Sequence, residues 1–163
     1  MTEAACQLAD AQQLTRSAGG LRQWVGARHV SHVVQPGAMD RTTVEQWVAF
    51  YERLWRTPGT ELLAELFVPD ASYLPSPWAQ PLQGLEAIAR FWEAERMGAD
   101  EVFTMSSDVE AVDETTAVVR VVVEYGASRD KPWRDLWVLR FAADGRCSWF
   151  EEWPFAPGHP DGH

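Results

Sequence analysis

The chain has 163 residues, 46% hydrophobic and 12% aromatic with nine tryptophans, which is enough apolar material for one buried core and excludes disorder of the whole. Its formal charge of −10, with Lys131 as the single lysine, argues against DNA, RNA and anionic membranes, whose phosphates need basic partners. No apolar run approaches the ~20 residues of a membrane span, and the start lacks the basic and apolar stretches of a signal peptide, so a soluble cytoplasmic protein is expected.

Residues 1–38 carry Gly19-Gly20, Gly26 and Pro36-Gly37 among scattered apolar residues without a period. They are slightly basic (Arg16, Arg22 and Arg28 against Glu3 and Asp10), whereas the rest is acidic. The expectation is a mobile extension, with at most a short helix near 4–17, before a domain over 39–157 and a tail over 158–163. Met39 would itself serve as a natural start. His29-x-x-His32 lacks the further ligands a metal requires, and Cys6 and Cys147 stand alone, so no metal site and no reactive thiol are expected.

From Met39 the periods become clear. Thr42-x-x-Glu45 has the form of a capping box, and Val44, Trp47, Val48, Tyr51 and Trp55 follow at helical spacing until Pro58-Gly59. Thr60 can cap a shorter helix with Leu62, Leu63, Leu66 and Phe67 inward, stopped by Pro69. "DASYLPSPWAQPLQG" predicts a short strand entering a Pro-rich loop, and Gly84 precedes a third helix, Leu85 to Met97. After Gly98 the period switches to two. Phe103, Met105, Val109 and Ala111 alternate with polar residues, then Val119 to Tyr125, then Asp135, Trp137, Leu139 and Phe141, before an "AADG" turn and a last strand. Three N-terminal helices followed by an antiparallel meander with one dry face predict an α+β domain.

The segments "ELFVPDASYLPSP", "GLEAIARFW" and "DLWVLRFAADGRC", in this order of elements over about residues 39–155, resemble the nuclear transport factor 2-like superfamily. That group includes SnoaL-like polyketide cyclases, ketosteroid isomerases and limonene-epoxide hydrolases. The resemblance implies a cone-shaped α+β roll, its curved, mainly antiparallel sheet wrapped round the helices, with a mouth onto an apolar pocket. It does not fix an activity, because enzymes and non-enzymes share the fold. In the isomerases a Tyr on the first helix, an Asp after the first strand and a protonated Asp on a later strand move the proton. Those positions fall on Trp47, Pro75 and Trp137, so that reaction is not expected. Epoxide hydrolases of this fold use an Asp–Arg–Asp arrangement instead.

No histidine lies between Met39 and Gly158, which removes the usual base near neutral pH. Carboxylates remain. Asp135 is in phase with Trp137, Leu139 and Phe141 and should share their dry face. The last strand, "RCSWFEEWPF", carries two adjacent acids that must point to opposite faces. If the "AADG" hairpin has a three-residue loop, Phe141 pairs with Cys147, and Cys147, Trp149, Glu151 and Trp153 face inward. A one-residue bulge would turn Phe150 and Glu152 inward instead. The unbulged register is the expectation, making Asp135 and Glu151 the candidate catalytic pair. Trp47, Tyr51, Trp55, Tyr73, Trp78, Trp92, Trp137, Trp149 and Trp153 are the candidate ligand-binding set; wide rings meeting in a cone should leave a slot, although the same rings could simply be core.

The expected function is therefore a SnoaL-like domain that binds a small apolar or aromatic molecule without a cofactor, as a homodimer through the outer sheet face. The alternatives are a cofactor-free hydrolase, isomerase or cyclase using inward carboxylates, and a structural dimerisation module with a filled interior.

Overall fold

A computed structural model describes residues 39–96, 101–126 and 132–157. The expected extension, His29, His32, Cys6, Lys131 and the tail lie outside the described residues. The first helix, α1 (Arg41–Trp55), begins one residue before Thr42. Its cap is Asp40, whose Oδ1 accepts from the Thr43 backbone N–H and hydroxyl, both at 2.7 Å. A carboxylate ahead of the first turn meets the free N–H groups at the positive helix end, so it takes the role expected of Thr42. Val44, Trp47, Val48, Tyr51 and Leu54 form the buried face, as their spacing requires.

The second helix, α2 (Leu63–Leu66), is a single turn, and Phe67 opens strand β1 (Phe67–Leu74) instead of closing the helix. Pro69 lies within β1, where the pairing register with the last strand shifts between Phe67 and Ser72. Proline has no N–H for a ladder, so a break there is its natural consequence. A two-residue strand β2 (Leu82–Gln83) leads into α3 (Gly84–Glu95). Gly84 has φ +79°, and a Cβ on it would sit 3.3 Å from the Pro69 carbonyl oxygen, so glycine fits both the turn and the close approach.

Four long strands follow: β3 (Phe103–Asp113), β4 (Thr116–Tyr125), β5 (Pro132–Phe141) and β6 (Cys147–Phe155). The sheet order is β2-β1-β6-β5-β4-β3, antiparallel except for the parallel β1–β6 pair. The sheet curves round the helices, giving the expected α+β cone. At its closed end the Trp47 ring meets Phe67 and Phe141 edge-on, and its indole N–H donates to the Leu66 carbonyl at 3.1 Å. Among the described residues no helix is long and apolar enough to cross a membrane.

The β5–β6 hairpin decides which acid faces the cone. Ala142 N–H donates to the Arg146 carbonyl across a three-residue turn, with Gly145 at φ +83°, and Phe141 pairs with Cys147. The register then shifts at once, because Trp149 rather than Ser148 stands opposite Arg140. Ser148 is the extra residue of a bulge, its hydroxyl bonded to the Arg140 carbonyl at 3.1 Å. Every later residue of β6 is thereby reversed relative to the simple alternation.

Candidate functional site

The cone holds a cavity of about 560 Å3. Helix α1 supplies Tyr51 and Trp55, helix α3 supplies Phe91 and Glu95, and the end of β1 supplies Tyr73, followed by Pro75 and Ser76. The sheet adds Phe103 and Met105 of β3, Val123 and Tyr125 of β4, Trp133, Asp135 and Trp137 of β5, and Glu152 and Pro154 of β6, with Glu101 just before β3. Rings dominate the wall, and carboxylates are its only charged groups among the described residues.

Of the rings expected to line it, Tyr51, Trp55, Tyr73 and Trp137 do so. Trp47 and Trp92 are buried in the core beneath, at 6% and 1% exposure, rather than on the cavity surface. Their helical spacing placed them inward but could not give their depth. Trp78 is 95% exposed in the Pro-rich loop, where no periodic neighbour packs it. Trp149, Glu151 and Trp153, expected inward, lie on the outer face because of the bulge at Ser148. There Glu151 accepts from both indoles, Trp149 at 3.2 Å and Trp153 at 2.8 Å.

The inward acid is Glu152. It pairs across the hairpin with Trp137, whose indole N–H donates to it at 3.1 Å. Asp135 pairs with Pro154, so Asp135 and Glu152 are diagonal neighbours on the inner face, a spacing of roughly 7–8 Å between Cα atoms and less between side chains. Asp135 is 6% exposed, and its Oδ1 is buried without a hydrogen-bond partner among the described residues. Burial alone pushes its carboxyl up to about 7. Burial, then the neighbouring Asp135 charge, raises Glu152 to about 8 against the opposing Trp137 bond. The two thus titrate as a pair and hold a proton near neutral pH.

Phenols surround this pair. The Tyr51 and Tyr73 hydroxyls are 2.9 Å apart, and burial holds both well above the ordinary phenol range. Tyr125, at the mouth, is pushed up to about 12, first by burial and then by Glu101, Asp135, Glu152 and Glu95. Phe150 lies beneath, stacked on Tyr73 at 4.4 Å and on Tyr51 at 5.4 Å. The ring stack fixes the phenols, and the Trp137 bond fixes Glu152, so the pair sits on a rigid wall. Cys147 is buried and its thiol raised to about 12, chiefly by burial, which leaves it inert. Among the described residues no three of His, Cys, Asp and Glu gather as a metal site would need.

Sequence reasoning held Glu152 only as the bulged alternative and missed Tyr125, Trp133 and the mouth acids Glu95 and Glu101. Tyr125 was readable from its phase with Val119, Val121 and Val123; the others depend on the bulge and on where helix and strand ends meet.

The SnoaL-like domain family matches residues 32–149 of this chain. Among the solved structures it resembles is the epoxide hydrolase/cyclase-like enzyme SalBIII, described with a role in pyran ring formation in the polyether salinomycin. That match has 15% identity and a TM-score of 0.57 over 71% of this chain and 93% of the other. A candidate polyketide cyclase from Sinorhizobium meliloti matches with 24% identity and a TM-score of 0.51, over 68% of this chain and 97% of its own. No curated protein matches.

Proposed function

From the premise that this chain belongs to the SnoaL-like domain family, we propose that it is a cofactor-free acid–base enzyme acting on a small, largely apolar molecule: an isomerase, hydrolase or cyclase. The observation that carries this reading is the Asp135–Glu152 pair, a buried and a half-buried acid that are diagonal neighbours on the wall of a ring-lined cavity. Glu152 keeps its proton at neutral pH and serves as the acid, giving it to a substrate oxygen. Asp135 ionises first, and its unpartnered Oδ1 takes a proton from substrate carbon or from an attacking water. The proton count balances, and the pair returns to its starting state by transfer between the two carboxyls or through solvent. Hydrophobic walls exclude competing water and strengthen both hydrogen bonds. The names of the two similar structures, a cyclase and an epoxide hydrolase/cyclase-like enzyme, belong to the same class of chemistry.

A second reading, binding without turnover, is favoured by the preponderance of rings in the wall. A structural module with a filled interior fits poorly with a cavity of about 560 Å3. Incubation with small epoxides, ketones and linear polyketide-like compounds, followed by mass spectrometry, distinguishes these readings. Turnover is expected in the wild type, lost in Asp135→Asn and in Glu152→Gln, and kept in Glu151→Gln. Ligand-induced thermal shifts without any product would leave binding alone.

A further inference from the structure

Four carboxylates line one cavity, and they come from four different places: Glu95 at the end of α3, Glu101 before β3, Asp135 on β5 and Glu152 on β6. No Lys, Arg or His is among the described lining residues. The described arginines on the nearby helices are engaged elsewhere. Arg96 donates to the Thr57 and Gly59 carbonyls and pairs with Glu93, and Arg56 pairs with Glu52 while covering the Phe103 ring from 3.6 Å. A cluster of acids would say little alone. Here Asp135, 6% exposed, lines the cavity with a buried oxygen that nothing among the described residues satisfies. Buried acceptors of this kind are rare and costly, so each needs a partner.

Resting on the reading of this cavity as a small-molecule site, we infer that the natural ligand carries a basic nitrogen, seated as an ammonium between Asp135 and Glu152 with its apolar body against the aromatic wall. An ammonium is all donor and no acceptor, which matches the unfilled Oδ1. Tyr51, Trp55 and Trp137 line the same cavity, and the ring density of an aromatic wall favours a cation. The field acts on one spot, because Tyr125 feels Glu101, Asp135, Glu152 and Glu95 together. Glu95 and Glu101 at the mouth would draw a cation in and turn away an anion. A neutral alcohol could fill Oδ1 but would gain nothing from the other three acids.

Binding of 2-phenylethylamine, 2-phenylethanol and 3-phenylpropionate by calorimetry tests this directly. The amine is expected to bind at least about 10-fold tighter than the alcohol near pH 8, a difference of about 1.4 kcal/mol. The propionate is expected not to bind. The preference should shrink toward about pH 6, because the two inner carboxyls then take up protons while the amine stays charged. Tyr51 from α1, Tyr73 from β1 and Tyr125 from β4 face the same space but stay neutral across that range. Asp135→Asn and Glu152→Gln should each reduce the amine to the affinity of the alcohol. If one variant fails to fold, the other and the wild-type comparison still decide. Equal or tighter binding of the alcohol, a preference that survives in both variants, or no amine binding at all would overturn the inference. Amine preference without turnover of any compound would sink the enzyme reading alone, whereas turnover of neutral compounds without amine preference would sink only this one.

Discussion

Asp135 keeps a carboxyl largely out of water, and the consequence has a definite sign. Its folded pKa is raised from 3.8 to about 7 by burial. The folded chain therefore binds this proton more tightly than the unfolded chain. The stability linked to it is complete below about pH 4 and is lost as pH rises through about 7. Glu152, raised to about 8, acts in the same direction. Asp135→Asn should match the wild type near pH 4 and exceed it near pH 8 by on the order of 2–4 kcal/mol, read from denaturation midpoints at the two pH values. A variant that is less stable at both would show that the carboxylate has a compensating partner. Carboxyl NMR titration of Glu151→Gln should still show two acids titrating near neutrality; loss of one would place Glu151 rather than Glu152 in the cavity.

One strand irregularity sets which glutamate faces the cavity. Without a bulge the sequence as it stands would alternate from Cys147 with Glu151 inward and Phe150 outward, whereas deleting Ser148 removes the extra residue and leaves Trp149 opposite Arg140, with Phe150 and Glu152 still inward. Phe150 is fully buried and touches Trp47, Tyr51, Phe67, Tyr73 and Trp137. Deleting Ser148 should therefore keep Phe150 buried and cost less than emptying that position, which costs about 3–5 kcal/mol. A loss of that full size, read from the denaturation midpoint, would mean that deletion expels Phe150 and that the register does not hold without the bulge. The same residue explains the division between what was legible and what was not. Helix faces and strand phases of α1, β4 and β5 are written in periods of 3.6 and 2, so Tyr51, Val123 and Asp135 could be read inward. The turn length was also readable, since Phe141 does pair with Cys147. A bulge immediately beyond the turn has no periodic signature, because "CSWFEEWPF" alternates acceptably in either phase. Phe67 and Pro69 mark a second such case: a residue that suits the end of a helix opens a strand once a parallel partner is available.

At the scale of the whole domain, Met39 is buried and its N–H bonds the Glu114 carbonyl at 3.0 Å, so the cone has its own tie at its first described residue. A shortened chain beginning at Met39 is expected to melt within a few degrees of the full chain; a large drop would move the domain boundary. The cone also has two faces, and among the described residues only the inner one is covered. Outside, Trp149, Trp153 and Phe155 of β6 run beside Leu136 and Val138 of β5, with Trp153 41% and Phe155 45% exposed. Arg120, Arg134 and Arg140 interleave with Glu124 and Glu151 on the same face, charges of both signs that a two-fold copy could pair. An apolar stripe of this kind in a chain with so strong a net charge is expected to be covered by a second copy. Sedimentation equilibrium should show a dimer at about 100 µM, an affinity at or below the ~8 kcal/mol of a micromolar complex being enough to populate it. Trp153→Lys leaves a partner for Glu151 but sets a charge in the contact, and it should sediment as a monomer with cavity ligands still bound. A monomeric wild type at that concentration would rule out the sheet face as a stable contact between copies.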